Sequence, residues 1–175
     1  MSLTEKMSGR HPLSDAEAAY LSPLYRRDIS SNYVDGINDP EVRAFLGHDR
    51  NLTVEEIQDF VVAHENSEHQ ILLGFFLNGV HRGNIRLHDC SEASIWLGIA
   101  LFDKAVWNKG WATKLLKSAL KLVWARLSVK TVYAGVDSLN VASSKAFHKA
   151  GFFIDKQTAS GFVFASHRPS IGCVQ

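Results

Sequence analysis

Ala93-Ser-Ile-Trp-Leu-Gly-Ile-Ala-Leu101 and, shortly after it, Trp107-Asn-Lys-Gly-Trp-Ala-Thr113 are the most informative part of the chain. The first run is almost continuously apolar, the pattern of a central strand buried on both faces. Gly98 interrupts it, at a place where glycine marks a bulge or a close approach of backbone. The second run opens a strong amphipathic pattern. Leu115, Leu116, Ala119, Leu120, Leu122, Val123 and Leu127 cluster on one side of a helix, with Lys114, Lys117, Lys121 and Arg126 mostly on the other. The first turn of a helix carries unpaired N–H groups and the positive end of the dipole. If Gly110 turns the chain tightly, the N–H groups of Asn108 to Ala112 converge and suit an anion such as a phosphate. Ala112 leaves room for a ligand, and Lys109 and Lys114 add positive charge. The loop is not a Walker A sequence, which needs Gly-Lys-Ser/Thr, nor a dinucleotide fingerprint, which needs three glycines after an early strand. Read alone, it also fits an ordinary turn before a helix.

Working outward, Asn78-Gly79 is a strong hairpin signal. It joins an apolar run from Gln70 to Leu77 to a partner strand from Val80 to Leu87. With Ala93–Leu101 these form an antiparallel meander. Upstream, Ala19-Tyr-Leu-Ser-Pro-Leu24 reads as a strand, and Asp28 to Asn38 as a short helix capped by Asp28 or Ser30. Asn38-Asp-Pro-Glu41 starts another helix, with Pro at the first helical position. Thr53-Val-Glu-Glu56 is a capping box ahead of the apolar face of Ile57, Phe60, Val61 and Ala63. Downstream, Thr131–Val136 is a strand reached through a helix, so it can pair in parallel. Asn140 to Ala150 is a last helix, closed by Gly151. Phe152–Ile154 and Phe162–Ala165 are short final strands. The order implies an α/β (α+β) domain: one mixed, twisted sheet of six or seven strands with helices on its faces.

The chain has 175 residues, 46% hydrophobic and 21% charged, which is one ordinary globular domain. Its formal net charge of +1 argues against a nucleic-acid partner. No run approaches the ~20 apolar residues that cross a membrane. Cys90 and Cys173 make neither a disulfide framework nor a zinc ribbon, so a reducing, cytoplasmic setting fits. The domain is expected over 18–165. Residues 1–17 read as a disordered or tag-like N-terminus, and 166–175 as a loose tail. His64, His69, His81 and His88 lack metal-ligand spacing, so no metal is expected.

From Ala19 to Phe152 the chain resembles the GNAT acetyltransferase superfamily. The branch it is most similar to contains the ribosomal-protein N-terminal acetyltransferases and the amino-sugar acetyltransferases. The resemblance is carried by Ala19–Leu24, Asn38-Asp-Pro-Glu-Val42, Gly83-Asn-Ile85, Gly98-Ile-Ala-Leu101, Trp107–Thr113, Asn140-Val-Ala-Ser143 and Lys149-Ala-Gly-Phe152. Each piece is weak alone; their order makes them specific. The family's pyrophosphate loop is Gln/Arg-x-x-Gly-x-Gly/Ala. Gly110 and Ala112 fill its last two positions, and Trp107 departs from the first. The resemblance implies acetyl-CoA as co-substrate, lying across a splayed end of the central strand. Its pantetheine would pair with the backbone of Ile99, Ala100 and Leu101. Its pyrophosphate would meet Trp107, Asn108, Lys109, Gly110, Trp111, Ala112 and Thr113. Asn140, Ser143 and Phe147 would border the thiol end. A bulge at Gly98 would open the groove, and the Ile99 N–H would face the developing oxyanion.

Acetyl transfer needs a neutral amine. Many relatives use a Glu on the central strand to take its proton, and Ala93–Leu101 carries no carboxylate. His88, Asp89 and Asp137 are the candidate bases. A Tyr that protonates the leaving thiolate in many relatives corresponds here to Phe147, so the thiolate leaves unaided or takes a proton from water, Ser143 or Ser144. Lys145 and Lys149 are candidate partners for the 3′-phosphate. Asn38, Asp39 and Arg50 are candidate acceptor contacts, although the first two also suit helix capping. The acceptor is a small-molecule amine, with a nucleotide-linked amino-sugar foremost, or else a ribosomal-protein N-terminus. A non-catalytic CoA-binding module is the reading of another class. A monomer or a homodimer is expected.

Overall fold

The computed structural model describes residues 2–13 and 18–169. Eight strands form one sheet: β1 His11–Pro12, β2 Ala19–Pro23, β3 Ile71–Leu77, β4 Val80–His88, β5 Ser94–Ala100, β6 Thr131–Asp137, β7 Phe153–Gln157 and β8 Gly161–His167. Their order is β1-β2-β3-β4-β5-β6-β8-β7. Of the pairs, only β5 and β6 run parallel, because a helix separates them in sequence. The helices are α1 Leu3–Lys6, α2 Ser31–Asn38, α3 Pro40–Arg43, α4 Val54–Glu65, α5 Trp111–Arg126 and α6 Val141–Lys149.

Local chemistry accounts for these boundaries. Asn78 and Gly79 both have positive φ, 52° and 77°, as a two-residue hairpin turn requires. Thr53 and Glu56 close a reciprocal capping box at α4. Ser30, not Asp28, caps α2; Asp28 closes a short 3-10 turn by accepting from the Tyr25 N–H. Asp39 caps α3, which begins at Pro40. Gly151 has φ 95° just beyond α6, the left-handed position at which many helices end.

Alternation along the strands divides the apolar residues between two cores. Ile71, Leu73, Phe75, Ile85, Leu87, Ile95 and Leu97 meet α5 in the larger one. Leu72 meets α2 and α4 on the other face, with Tyr33, Ile37, Ile57 and Val61. Burial of an apolar side chain of this size is worth about 1.5–3 kcal/mol, so the larger core dominates stability.

Three expectations need correction. The strand count is eight because β1 pairs with β2 and adds a short edge. The N-terminus is not disordered over residues 2–13: Leu3 and Met7 are fully buried in the larger core, and a capping box from Ser2 and Glu5 starts α1. A polar segment concealed these two apolar residues, spaced one helical turn apart. Residues 14–17 and Met1 lie outside the described residues. Similarly, Ser166 and His167 belong to β8 opposite Val132 and Thr131, and the Arg168 guanidinium donates to the Val129 and Trp124 carbonyls. The loose tail expected from 166 therefore concerns at most 170–175, outside the described residues.

Candidate active site

The β5–β6 ladder stops after Ser94↔Thr131, Ile95↔Val132 and Trp96↔Tyr133. From Leu97 onward β5 has no partner on that side. On its other side, β5 pairs with β4 without interruption from Trp96 to Ala100. The expected bulge at Gly98 is therefore absent. The strands part because β6 pairs with β8 over its whole length, Thr131↔His167 to Asp137↔Gly161, and follows the twist of that partner away from β5. Gly98 instead keeps the floor low: a Cβ there would meet only the Arg86 Cβ, at 3.9 Å.

The opening is the mouth of a groove of about 1440 Å³. One wall is β5, including Gly98, Ile99 and Ala100, with Leu101 just beyond it; the other includes Gly135, Val136 and Asp137 of β6 and residues of α6. Trp107, Asn108, Gly110, Trp111, Ala112 and Thr113 also line it. Gly110 is the N-cap of α5, with φ 78° and no side-chain cap. Asn108 is left-handed as well, with φ 57°. Two left-handed residues fold the loop back on itself, and the first N–H groups of α5, on residues that line the groove, have no intrahelical acceptor. Trp107 closes the loop against the strand, its indole N–H donating to the Leu101 carbonyl at 2.7 Å. This ring positions the loop, a role that spacing did not show. Trp111 packs on Phe75 in the core, ring centroids 5.2 Å apart.

Lys109 turns back, donating to the Ala105 carbonyl at 2.7 Å, and it does not line the groove. The Lys114 ammonium lies 4.4 Å from the Trp111 ring centroid. Asn140 caps α6 by accepting from the Ser143 N–H. Phe147 is a core residue that also lines the groove, stacked on Phe164 and edge-on to Phe152. Lys145 and Lys149 line the groove as well.

The candidate bases are spread out. His88 and Asp137 line the groove on different strands, and Asp89 does not. The His88 Nδ1 donates to the Asp89 carboxylate at 2.9 Å. Asp137 accepts from the Leu139 N–H at 2.8 Å. The candidate acceptor contacts are engaged elsewhere. Asn38 bridges to the Leu52 backbone in both directions, at 2.9 and 2.7 Å. Asp39 pairs with Lys104 at 2.8 Å, and that hydrogen bond holds its carboxyl below its usual pKa. Arg50 holds Glu56 in a fork, which lowers the Glu56 pKa to about 2. None of the three lines the groove.

The groove is lined on this side instead by Tyr33, Phe45, Asn84, Arg86 and His88. Alternation along β4 was the available signal: Asn84, Arg86 and His88 share the face opposite Ile85 and Leu87. Beneath this face lie two buried histidines. His81 donates from Nε2 to the Asn84 Oδ1 at 2.7 Å, and its Nδ1 has no hydrogen-bond partner among the described residues. Tyr33 bonds to Asn84, and burial pushes its pKa up to about 12. Arg86 can only donate, so the His64 Nε2 accepts from it at 3.1 Å and the His64 Nδ1 carries the proton, donated to the Phe60 carbonyl.

Burial lowers the pKa of both His64 and His81 from the ordinary value of 6.5. The unfolded chain therefore takes up protons first as pH falls. The stability that these neutral rings support is complete above pH 6.5 and declines as pH drops toward the folded-state values, with a slope of at most about 1.4 kcal/mol per pH unit for each ring. Urea titrations between pH 7.5 and 5 should show this loss, and His81→Phe should flatten it. An equal slope in the variant would remove His81 from the account.

Among the described residues, no group of three or more His, Cys, Asp or Glu could hold a metal. Nor is any helix among them long and apolar enough to cross a membrane.

The sheet thus parts in the middle, with a groove between its strands and the N-terminus of α5 beside it. Residues 19–153 match the model of the acetyltransferase (GNAT) domain family, and the chain belongs to that family. It is thus an acyltransferase, with acetyl-CoA as co-substrate. Solved structures share the fold at low identity. Spermidine N-acetyltransferase from Vibrio cholerae, in complex with CoA and spermine, is 14% identical over 86% of this chain and 95% of its own, with a TM-score of 0.76. Aminoglycoside acetyltransferase AAC(6')-Ib in complex with coenzyme A is 16% identical over 86% of this chain and 95% of its own, TM-score 0.73. A GNAT-family acetyltransferase from Streptococcus pneumoniae is 22% identical over 86% of this chain and 99% of its own, TM-score 0.69. No curated protein matches the chain.

Proposed function

We propose that this chain acetylates the primary amine of a small molecule, with a nucleotide-linked amino-sugar as the leading class, in the cytoplasm. The carrying observation is the unpaired edge of β5 beyond Trp96, opening beside the left-handed Gly110. Backbone of Ile99, Ala100 and Leu101 pairs with the pantetheine amides as an added strand would. The loop Trp107–Thr113 receives the pyrophosphate on its N–H groups, chiefly those of Gly110 to Thr113. Lys145 and Lys149, which line the groove, serve the 3′-phosphate. Asn140, Ser143 and Phe147 border the thioester. Small amines are also what the spermidine and aminoglycoside enzymes are named for.

In the transfer, the amine nitrogen bonds to the thioester carbonyl carbon and the C–S bond breaks. The Ile99 N–H steadies the oxyanion between these events. The thiolate leaves without a tyrosine acid, because Phe147 offers no hydroxyl, and the proton that the amine nitrogen sheds passes to solvent. No carboxylate stands on β5, so orientation supplies more of the rate than proton abstraction does. His88→Ala, Asp89→Asn and Asp137→Asn should each lower kcat/KM by well under the ~100-fold typical of losing a general base. The pH profile should rise with the free amine of the acceptor, and internal lysines, with an ordinary pKa near 10.4, should react poorly. A thousandfold loss in any one variant, with acetyl-CoA binding intact, would identify that residue as the base.

The test of function is thiol release from acetyl-CoA across amines, amino-sugar nucleotides and peptides. Turnover on peptide N-termini alone would replace the small-molecule reading with a protein N-terminal acetyltransferase. Binding of acetyl-CoA with no turnover on any acceptor would replace it with a CoA-binding module.

A further inference from the structure

We propose that Arg86 reads an anionic group on the acceptor, a carboxylate or a phosphate carried close to the reacting amine. This deepens the acetyl-transfer reading and rests on it. Arg86 lies on β4 opposite Gly98 of β5, beside the place where β5 and β6 part. Gly98 has no side chain to cover it, so the guanidinium stands over an open floor and lines the groove. Its position is held from several directions. Nε donates to His64 Nε2 at 3.1 Å, Nη2 donates to Gln70 Oε1 at 3.1 Å, and the guanidinium carbon sits 5.5 Å from the Phe60 ring centroid.

Both hydrogen-bond partners are neutral. His64 accepts at Nε2 in its neutral form, and burial together with the positive charge of Arg86 keeps it so. Among the described residues, no carboxylate pairs with Arg86. The carboxylates that line the groove are committed elsewhere, Glu41 to Lys104 and Asp137 to the Leu139 N–H on the opposite wall. The acceptor side therefore holds a half-buried, oriented and uncompensated cation. A planar guanidinium matches the two oxygens of a carboxylate or phosphate, and such bonds are about twice as strong as neutral ones. A polycation would meet this charge with repulsion, and an anionic amine would neutralise it.

The test pairs each acceptor with a counterpart that lacks the anionic group. D-glucosamine 6-phosphate is set against D-glucosamine, and L-alanine against L-alaninamide, with spermidine as the cationic control. For each, KM and kcat come from thiol release. Thermal shifts of the CoA-saturated protein report binding whether or not turnover occurs. The expected result is a preference of about tenfold to a hundredfold, in KM and in binding, for the anionic member of at least one pair. The sugar pair and the amino-acid pair distinguish phosphate from carboxylate. Arg86→Gln should erase that preference while leaving the shift produced by CoA alone unchanged. Arg86→Lys should restore only part of it, since a lysine keeps the charge without the fork. Equal binding of both members of each pair by the wild-type protein, or a preference that survives Arg86→Gln, would overturn the proposal. Anion-selective binding with no thiol release from any acceptor would leave Arg86 in its role and remove the catalytic reading instead.

Discussion

Gly110→Glu should abolish the thermal stabilisation that acetyl-CoA gives the wild-type protein. At a hundredfold excess over Kd, a ligand that binds only the folded state adds about 2.7 kcal/mol. Gly110 caps α5 with φ 78°, a conformation that costs other L-residues about 1–2 kcal/mol. A carboxylate there would also occupy the position proposed for the pyrophosphate, in front of Gly110 to Thr113. The effect of charge is separated from that of backbone by Gly110→Asn, because asparagine tolerates the left-handed region. That variant should keep most of the shift. A normal acetyl-CoA response from the glutamate variant, measured by calorimetry or thermal shift, would remove this loop from the binding site.

Gly161→Val should be among the most damaging single changes in the sheet. A Cβ at Gly161 would stand 2.1 Å from the Val136 carbonyl oxygen and 2.9 Å from the Asp137 Cα. Both neighbours are backbone and cannot rotate aside. Overpacking costs roughly 1–3 kcal/mol and occasionally more, and this contact belongs at the upper end. The loss has a functional side. The end of β6 carries Val136 and Asp137, which line the groove, and β8 is the partner that holds β6 away from β5. Urea denaturation should show the destabilisation, and acetyl-CoA affinity should fall with it at temperatures where the variant remains folded. Stability within 0.5 kcal/mol of wild type, about the scatter of neutral surface changes, would show that the strand end yields freely.

The legible parts of the sequence were those in which local chemistry and periodicity agree. Asn78-Gly79, the Thr53–Glu56 box, Pro40 after Asp39 and the face of Leu115 to Val123 all form what their patterns require. The parallel meeting of β5 and β6 and their early parting were also within reach. The cause of the parting was not, because it lies in the full-length pairing of β6 with β8, and no local signal in β5 reports that. α1 was hidden because two apolar side chains in a polar segment give no period, yet Leu3 and Met7 are fully buried. In the groove, the lining by Gly110 and Ala112 was within reach of the sequence. The wall carried by Tyr33, Asn84 and Arg86 was not. Asn38, Asp39 and Arg50 are polar groups whose partners are decided by contacts distant in sequence, and those contacts make them struts. Arg86 stood in plain sight between Ile85 and Leu87, but its importance depends on Gly98 across the ladder and on His64 beneath it.

The brief match of β5 with β6 also bears on cooperativity. β2 to β5 each pair with their predecessor in the chain, whereas β6 pairs with β8 and β8 with β7, so each half of the sheet is built from its own continuous stretch of the chain. The ladder connecting the halves is three residues long, which leaves side-chain packing under α5 and α6 to carry most of the coupling between them. A boundary of this kind is where sub-global opening begins. A molecule lodged along it touches both halves and so acts as a rivet, making two loosely joined folding units unfold as one.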